Sequence, residues 1–464
     1  MNAIKTWSPS SLRQLNQAFS GQKSELFKST RTLPADEKAD VLILSAPPLF
    51  KSEPLPLAEM VAQAGVEVEE AFEDLAVATR VSPEQKQALE EQGWVLYDNS
   101  PRQLQPSLMG SAKPLSRLPD IDSNAMVKAD VNLSKGITGK EQIIAVLDSG
   151  FDVPHMNERV TYLNVINGSR EHHDGSGHGS HTASHIHRAA PEANLIALQV
   201  MNDDGTGRPS DILKGLKIVS DLKKKGVDID LVNMSLGGEP DGLPDTLDPI
   251  NRMVDRLSQQ GITVVAAAGN SGPEGRTIGS PADAPSAITV GAALDPNTVS
   301  DFSSRGPTDD GLIRPHLVAP GEFMPGWAVP YSEMYQTAKT VDALRRMPGA
   351  QLKELLNERP ELGEALGLPP QAAQWPDAQL EKEVRSNLPP MGLNAKGEVL
   401  APGTSFAAPV VTGVLAQAEQ VADLSPEQNL RLLMETARPI AGAQKIEQGA
   451  GFLDAEAALR RLGA

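Results

Sequence analysis

Four short apolar runs constrain this chain most: Ile143-Ile144-Ala145-Val146-Leu147, Leu195 to Val200, Leu231-Val232-Asn233-Met234 and Thr263 to Ala267. A strand with one face in water alternates apolar and polar residues, because successive side chains point to opposite faces. Runs without alternation suit strands covered on both faces, the condition of a parallel sheet sandwiched by helices. Helical stretches separate them. The expected fold class is therefore α/β: a three-layer α/β/α domain with a mostly parallel sheet. In such sheets functional groups collect at the carboxyl ends of the strands. The 464 residues leave room for up to about three domains.

The preceding residues have another texture. Residues 1–37 are polar and weakly periodic and read as an N-terminal extension. Within 38–98, Val41 to Leu44 reads as a strand and Leu57 to Ala62 as a helix stopped at Gly65. Val66 to Phe72 and Leu75 to Val81 read as a hairpin around Glu73-Asp74. Ser82-Pro83-Glu84-Gln85 opens a helix that ends at Gly93, and Trp94 to Tyr97 closes the unit as a strand. The order βαββαβ is that of a small ferredoxin-like α+β domain. Residues 99–120 read as a linker, and 121–464 as the large domain.

Composition excludes several classes. The balance 42 − 60 = −18 argues against nucleic acid and anionic membrane partners, since phosphate binding rests on Lys and Arg. With no cysteine, there is no disulfide scaffold, thiol nucleophile or thiolate metal site. No stretch approaches the ~18 apolar residues of a membrane span. Residues 1–19 lack the apolar core of ~7–15 residues of a secretory signal. A cytoplasmic pool is the expectation, with export by another route left open.

Three segments sit where the strand-end rule points. Val146-Leu147-Asp148-Ser149-Gly150 ends a run with a carboxylate. His178-Gly179-Ser180-His181-Thr182-Ala183 begins a helix of small residues among Gly175, Gly177 and Gly179. Gly403-Thr404-Ser405-Phe406-Ala407-Ala408-Pro409 puts a serine at the start of an apolar helix. A serine hydroxyl needs an imidazole to take its proton and a carboxylate to orient that imidazole. A fourth segment, Ala266 to Gly272, sets the Asn270 carboxamide just past a strand, where such a donor can hold an oxyanion. Taken singly, Asp148 could merely end a strand and Ser405 merely cap a helix.

Together these segments resemble the signature blocks of the subtilase (subtilisin-like) serine proteases. The order is Asp, His, Ser, with spacings 178 − 148 = 30 and 405 − 178 = 227. Asn233 to Gly238, Phe302 to Pro307, Val318 to Gly321 and Gly449 to Asp454 match further blocks. The resemblance covers about 121–464, and 38–98 resembles the family's inhibitory propeptide. It implies a serine endopeptidase made as a zymogen, with Asp148, His178 and Ser405 catalytic and Asn270 at the oxyanion. It also implies that extended protein or peptide substrate lies between Ser235-Leu236-Gly237 and Gly205-Thr206-Gly207. Gly279 then floors a pocket deep enough for a large apolar residue. The chain departs from the family at Ser180, Thr182 and Phe406, where Thr, Val and Met are usual.

No cofactor is implied. Only His185 to Pro191 precede Leu195, where many relatives insert a calcium loop, so the usual tight calcium site is expected to be absent; a weaker structural calcium elsewhere is left open. Residues 322–395 stand where relatives have a short hairpin. Met334 to Met347 and Gln351 to Glu358 read as helices, with Leu344, Leu352, Leu355 and Leu356 at helical spacing. The expectation is a helical flap beside the leaving-group side of the cleft. Two other classes stay in view. One is a regulatory or binding protein of this fold, held inactive by its propeptide or a partner. The other is a metal hydrolase using His181 and His185, though no glutamate follows the first histidine as in a zinc helix.

Overall fold

A computed structural model describes residues 6–7, 39–44, 61, 65–72, 75–92, 94–103, 108–109, 119, 121–240 and 244–464. Nearly all of the 1–37 extension, the helix expected at 57–62 apart from Val61, the Glu73-Asp74 turn and most of 104–120 lie outside the described residues.

The N-terminal unit has strands β1 (Ala39–Leu44), β2 (Glu67–Phe72), β3 (Leu75–Val81) and β4 (Val95–Asp98), with helix α1 (Pro83–Glu91) before the last. The strands form an antiparallel sheet in the order β2-β3-β1-β4. A reciprocal cap starts α1: Gln85 N–H donates to Ser82 Oγ, and Ser82 N–H to Gln85 Oε1 at 2.9 Å. Alternation along β3 divides its side chains between two cores. Ala76 and Ala78 pack with Val41, Val66 and Leu89, whereas Leu75 and Val77 face the large domain.

After β5 (Arg102–Gln103) come β6 (Ile143–Asp148), β7 (Val160–Asn164), β8 (Asn194–Gln199), β9 (Thr206–Gly207), β10 (Ile229–Met234), β11 (Thr263–Ala267), β12 (Ile288–Asp295), β13 (Thr298–Val299) and β14 (Leu317–Pro320). The central eight-stranded sheet runs β13-β12-β11-β10-β6-β8-β7, with β14 beside β12. Every pairing in it is parallel except β12 with β13. Helices α2 (His178–Ala189), α3 (Pro209–Lys224) and α4 (Pro249–Gln259) follow their strands. The unalternated runs are explained by what covers them. Ile144 and Val146 pack under α2, and Ala145 and Leu147 under α3 and α4. Strands leave β6 toward β8 on one side and β10 on the other, so a crevice opens at the carboxyl ends of β6 and β10. No helix among the described residues is long and apolar enough to cross a membrane.

Residues 322–395 contribute β15 (Met324–Gly326), α5 (Glu333–Arg346), α6 (Gly349–Glu358), α7 (Pro360–Ala365), α8 (Asp377–Asn387) and β16 (Gly392–Leu393). With β17 (Val399–Ala401) they make a three-stranded sheet, β15-β17-β16, before helix α9 (Thr404–Val421). Leu344, Leu352 and Leu356 are buried and Leu355 is half-buried. These side chains belong to the same core as Val146, Ile186 and Phe406, so the segment is packed into the large domain. Buried Arg345 closes it by donating to Met391 O at 2.9 Å and Pro389 O at 3.1 Å.

A second buried polar knot starts α4. Asp248 Oδ1 accepts the Asn251 N–H at 2.9 Å, and Asn251 Nδ2 donates to Asp245 O at 2.9 Å and Asp283 Oδ1 at 2.8 Å. Burial, reinforced by the charges of Asp248 and Asp245, pushes the Asp283 carboxyl up to about 8 against the opposing Asn251 bond. Unfolded, the same carboxyl ionises near 4. Between about pH 4 and 8 the folded state therefore holds a proton the unfolded state has lost, and stability falls as pH rises through that window. Asp283→Asn, an isostere of the protonated acid, should match the parent near pH 4 and gain on it by roughly 1 kcal/mol per pH unit above that. Urea melts of both proteins at pH 4, 6 and 8, in a Ser405→Ala background that prevents self-digestion, measure this. Parallel pH dependences would contradict a proton on Asp283.

Candidate active site

Asp148 ends β6 with 1 % of its surface exposed. Its Oδ1 accepts the Ser149 N–H at 2.7 Å and the His178 Nδ1–H at 2.7 Å. That arrangement assigns the Nδ1–H tautomer to His178 and leaves Nε2 as the acceptor. A glycine brings the two elements together: a β carbon at Gly179 would strike Gly150 O, so only glycine lets the first turn of α2 sit against the end of β6. Burial alone would lower the His178 pKa. The charge and hydrogen bond of Asp148, and then the charge of Asp174, outweigh it and raise the value above the usual 6.5.

Ser405 lies one residue into α9, buried, with an Oγ that has no hydrogen-bond partner among the described residues. Pro409 lies four residues on and has no N–H to give Ser405 O. Ser235 Oγ, just beyond β10, supplies the donor at 2.7 Å instead, and Asn233 Nδ2 holds that hydroxyl at 3.0 Å. Asn233 Oδ1 accepts from Thr412 Oγ1 on α9 at 2.9 Å. The serine turn is thus tied to the sheet through its own carbonyl. Asn270 is fixed from α9 as well: Thr404 donates to its Oδ1 from N at 3.0 Å and Oγ1 at 2.9 Å. This turns Nδ2 toward the Gly403 turn, where a β carbon would lie 3.6 Å away.

The remaining residues singled out by sequence fall into two groups. Thr206 and Gly207 are β9, an edge paired antiparallel with Gln103 and Arg102 of β5. Gln103 Nε2 also donates to Gly205 O at 2.9 Å. Leu236 is buried beside Ser235, and Gly237 faces Ser280 O. Gly279 abuts backbone: a β carbon there would meet Gly238 O and Pro240 N. Its missing side chain therefore admits the 238–240 chain, a tighter reason for glycine than pocket depth.

The histidine pair on α2 is engaged within the protein. His181 Nε2 donates to Val399 O at 3.0 Å, and its Nδ1 faces His185 Nε2 at 3.2 Å. Burial lowers His181 to about 3 and His185 well below its ordinary value, so both are neutral. Phe406 packs against the rings of His178, His181 and His185. Among the described residues no group of three or more His, Cys, Asp or Glu is placed to hold a metal ion.

Sequence reasoning passed over Asn233 and Thr404 within these motifs and Thr412 and Asp174 beside them, all buried polar residues. One signal was available, namely Pro409 four residues after the serine, which calls for a side-chain donor in place of its absent N–H. The others depend on contacts between segments far apart in the chain.

The large domain matches the profile of the subtilase family, peptidase S8, over residues 139–453. Serine protease AprX of Bacillus subtilis is 37% identical over 217 residues, 42% of this chain and 49% of AprX. Subtilisin E of the same organism is 36% identical over 211 residues, covering 42% of this chain and 51% of that protein. The subtilisin of Bacillus pumilus is 35% identical over 42% of this chain and 70% of its own length. The chain thus spans about half the length of AprX and subtilisin E. With a family match over residues 139–453 and a three-layer sheet that brings the four motif segments to one crevice, this chain belongs to the subtilase family.

Proposed function

We propose that the chain is a subtilisin-like serine endopeptidase made as a self-inhibited zymogen. The buried hydrogen bond between Asp148 Oδ1 and His178 Nδ1 carries this reading, because it leaves Nε2 to take a proton and provides a counter-charge once it has done so. Ser405 Oγ attacks the peptide carbonyl while His178 Nε2 accepts its proton, and His178 then returns that proton to the leaving amine. Asp148 keeps the tautomer and stabilises the imidazolium. Asn270 Nδ2 and the Ser405 N–H hold the oxyanion, with extended substrate between β9 and Ser235-Leu236-Gly237. This chemistry needs no cofactor. Ser405→Ala should lower peptide hydrolysis by at least ~10³-fold with melting unchanged. A folded Ser405→Ala protein that turns over near the parental rate would refute the mechanism.

The N-terminal unit is the inhibitor in this proposal. Supporting it, β5 lies antiparallel on β9 as a substrate strand would. The start of α3 is capped from the same side: Oδ1 of Asn99, the first residue of the linker, accepts the Ser210 N–H at 2.9 Å, and Asp40 of the unit pairs with Arg208 at 2.7 Å. Residues 38–98 added in trans should inhibit processed enzyme, measured as loss of peptide hydrolysis. No inhibition at high micromolar concentration would count against it.

Calcium is not required between His185 and Leu195 in this reading. Helix α2 runs to Ala189 and β8 starts at Asn194, which leaves a four-residue turn closed by Ala193 N–H to Ala190 O at 3.2 Å. Six to eight oxygen ligands do not come from so short a turn. Chelator should leave the melting temperature of this region unchanged, as followed by hydrogen exchange. Chelator-induced exchange confined to 185–195 would reverse this conclusion.

A further inference from the structure

Asp174 lies in the loop before His178 with none of its surface exposed. Three donors converge on its carboxylate. Ser149 Oγ at 2.9 Å and Gly177 N at 2.8 Å donate to Oδ1, and Ser180 N at 2.8 Å donates to Oδ2. Two of these are backbone N–H groups at the start of α2, a helix whose own N-cap, Gly177, has no side chain to offer. Ser149 Oγ completes the link by accepting the Gly179 N–H at 3.0 Å, while the Ser149 N–H holds Asp148. One carboxylate therefore fixes both the first turn of the histidine helix and the residue next to the triad acid.

The outer side of this loop is closed by the insertion. Tyr331 Oη accepts the Asp174 N–H at 3.2 Å and donates to Asp152 Oδ2 at 2.6 Å. Asp152 N–H donates to Ser180 Oγ at 3.0 Å, and Ser180 N–H returns to Asp174, so four residues form a closed hydrogen-bonded ring. Glu333 N–H to Gly175 O at 2.8 Å and Met334 N–H to Ser176 O at 3.0 Å add a two-bond backbone clamp. The Tyr331 ring stacks on His173, and Ser332 fills the space a β carbon would need at Gly177.

We propose that Asp174, braced by the Tyr331–Met334 segment of the insertion, is a positioning residue for His178, and that the insertion is thereby part of the catalytic apparatus. The proposal rests on the reading of His178 as the general base. It has an electrostatic arm as well as a geometric one. The ionisable groups that set the His178 titration are Asp148 on β6, Asp174 on the loop and the neutral His181 on its own helix. Helix α9 brings only Ser405 and Phe406, and the insertion brings Tyr331, whose hydroxyl burial pushes up and keeps protonated. Burial raises the Asp174 pKa above the ordinary carboxylate value, opposed by its hydrogen bonds from Ser180 and Gly177, and of the two carboxylates only Asp174 can lose its charge without breaking the bond that orients the imidazole.

The test uses the full chain. In a Ser405→Ala background, the downfield proton resonance of His178 Nδ1–H, identified by its loss in His178→Ala, reports the histidine titration whether or not the protein turns over substrate. Asp174→Asn should move its midpoint down by about half a pH unit or more, since it removes one of two nearby negative charges. In processed protein with Ser405 intact, Asp174→Asn should lower kcat at least ~10-fold with KM within about twofold. Asp174→Glu should restore the midpoint because it restores the charge. Tyr331→Phe, at a half-exposed side chain that folding tolerates, should lower kcat about threefold at unchanged KM. An unmoved midpoint in folded Asp174→Asn, or parental kcat in Tyr331→Phe, overturns the proposal. If Asp174→Asn does not fold, Tyr331→Phe decides. Wild-type protein that hydrolyses nothing would instead refute the protease reading and leave the resonance to judge the positioning.

Discussion

A carboxylate held almost wholly out of water must find donors or give up its charge, and Asp148 is in that position at the end of β6. Much of the large domain can be read as the answer. The next residue turns its N–H back to the carboxylate, and the imidazole of His178 supplies the other donor. For the imidazole to arrive, α2 must start against the strand end, which demands glycine at 179. For α2 to stay there, α9 must pack along it, and Gly413 permits that by lying against Ile186 O and the Ala189 β carbon. Helix α9 then delivers Ser405 and Thr404, and Thr404 orients Asn270. The site follows from bringing two donors to one oxygen of a buried carboxylate inside a close-packed α/β/α core, its Oδ2 being left without a hydrogen-bond partner among the described residues.

Much of this was legible in the residues, for identifiable reasons. Strands buried on both faces leave apolar runs that no half-exposed strand would carry, so the layers followed from Ile143–Leu147 and its counterparts. Asp148, His178, Ser405 and Asn270 stood out because their residue types recur in a known order, and the structure gathers their segments at one crevice. Asp174 and Ser149 could not be found that way. An aspartate in a Gly- and Ser-rich loop has the composition of a solvated turn; Ser149 and the start of α2 hold its carboxylate, and Tyr331, 157 residues later, closes the outer side of its loop. Gly279 is a similar case: its neighbours in space, Gly238 to Pro240, are distant in sequence, so its glycine read as pocket depth and not as close backbone contact.

The N-terminal unit meets the large domain through side chains that neither could bury alone. Leu75, Val77 and Tyr97 share a core with Ile212, Leu213 and Leu216 of α3, and burying each large side chain is worth roughly 1.5–3 kcal/mol. The polar contacts are placed at the helix start, where the N–H groups have no partner in the helix: Asn99 takes the Ser210 N–H beside the Arg208–Asp40 pair. This division suits a separable inhibitor. Apolar area holds the unit on α3, and the backbone of β5 is laid along β9. A strand edge is a template for any extended chain, so in the proposed zymogen β5 and a substrate would contend for the same backbone groups.

The insertion answers to the same constraint from the other side. A lid that opens needs a small apolar interface, because the free energy of opening scales with the surface exposed. Met334, Val341, Leu344, Leu352 and Leu380 are instead continuous with the core that contains Phe406, and lifting them would expose a patch no soluble domain leaves bare. Their helices are therefore fixed in place. What they can transmit passes through the few atoms where they touch the loop before His178: the Tyr331 hydroxyl, the Ser332 side chain and the N–H groups of Glu333 and Met334. The loop before His178 has to be held on this side as well. In this chain the N-terminal turn of α5 does it, and the helices behind that turn are the mass that keeps it still.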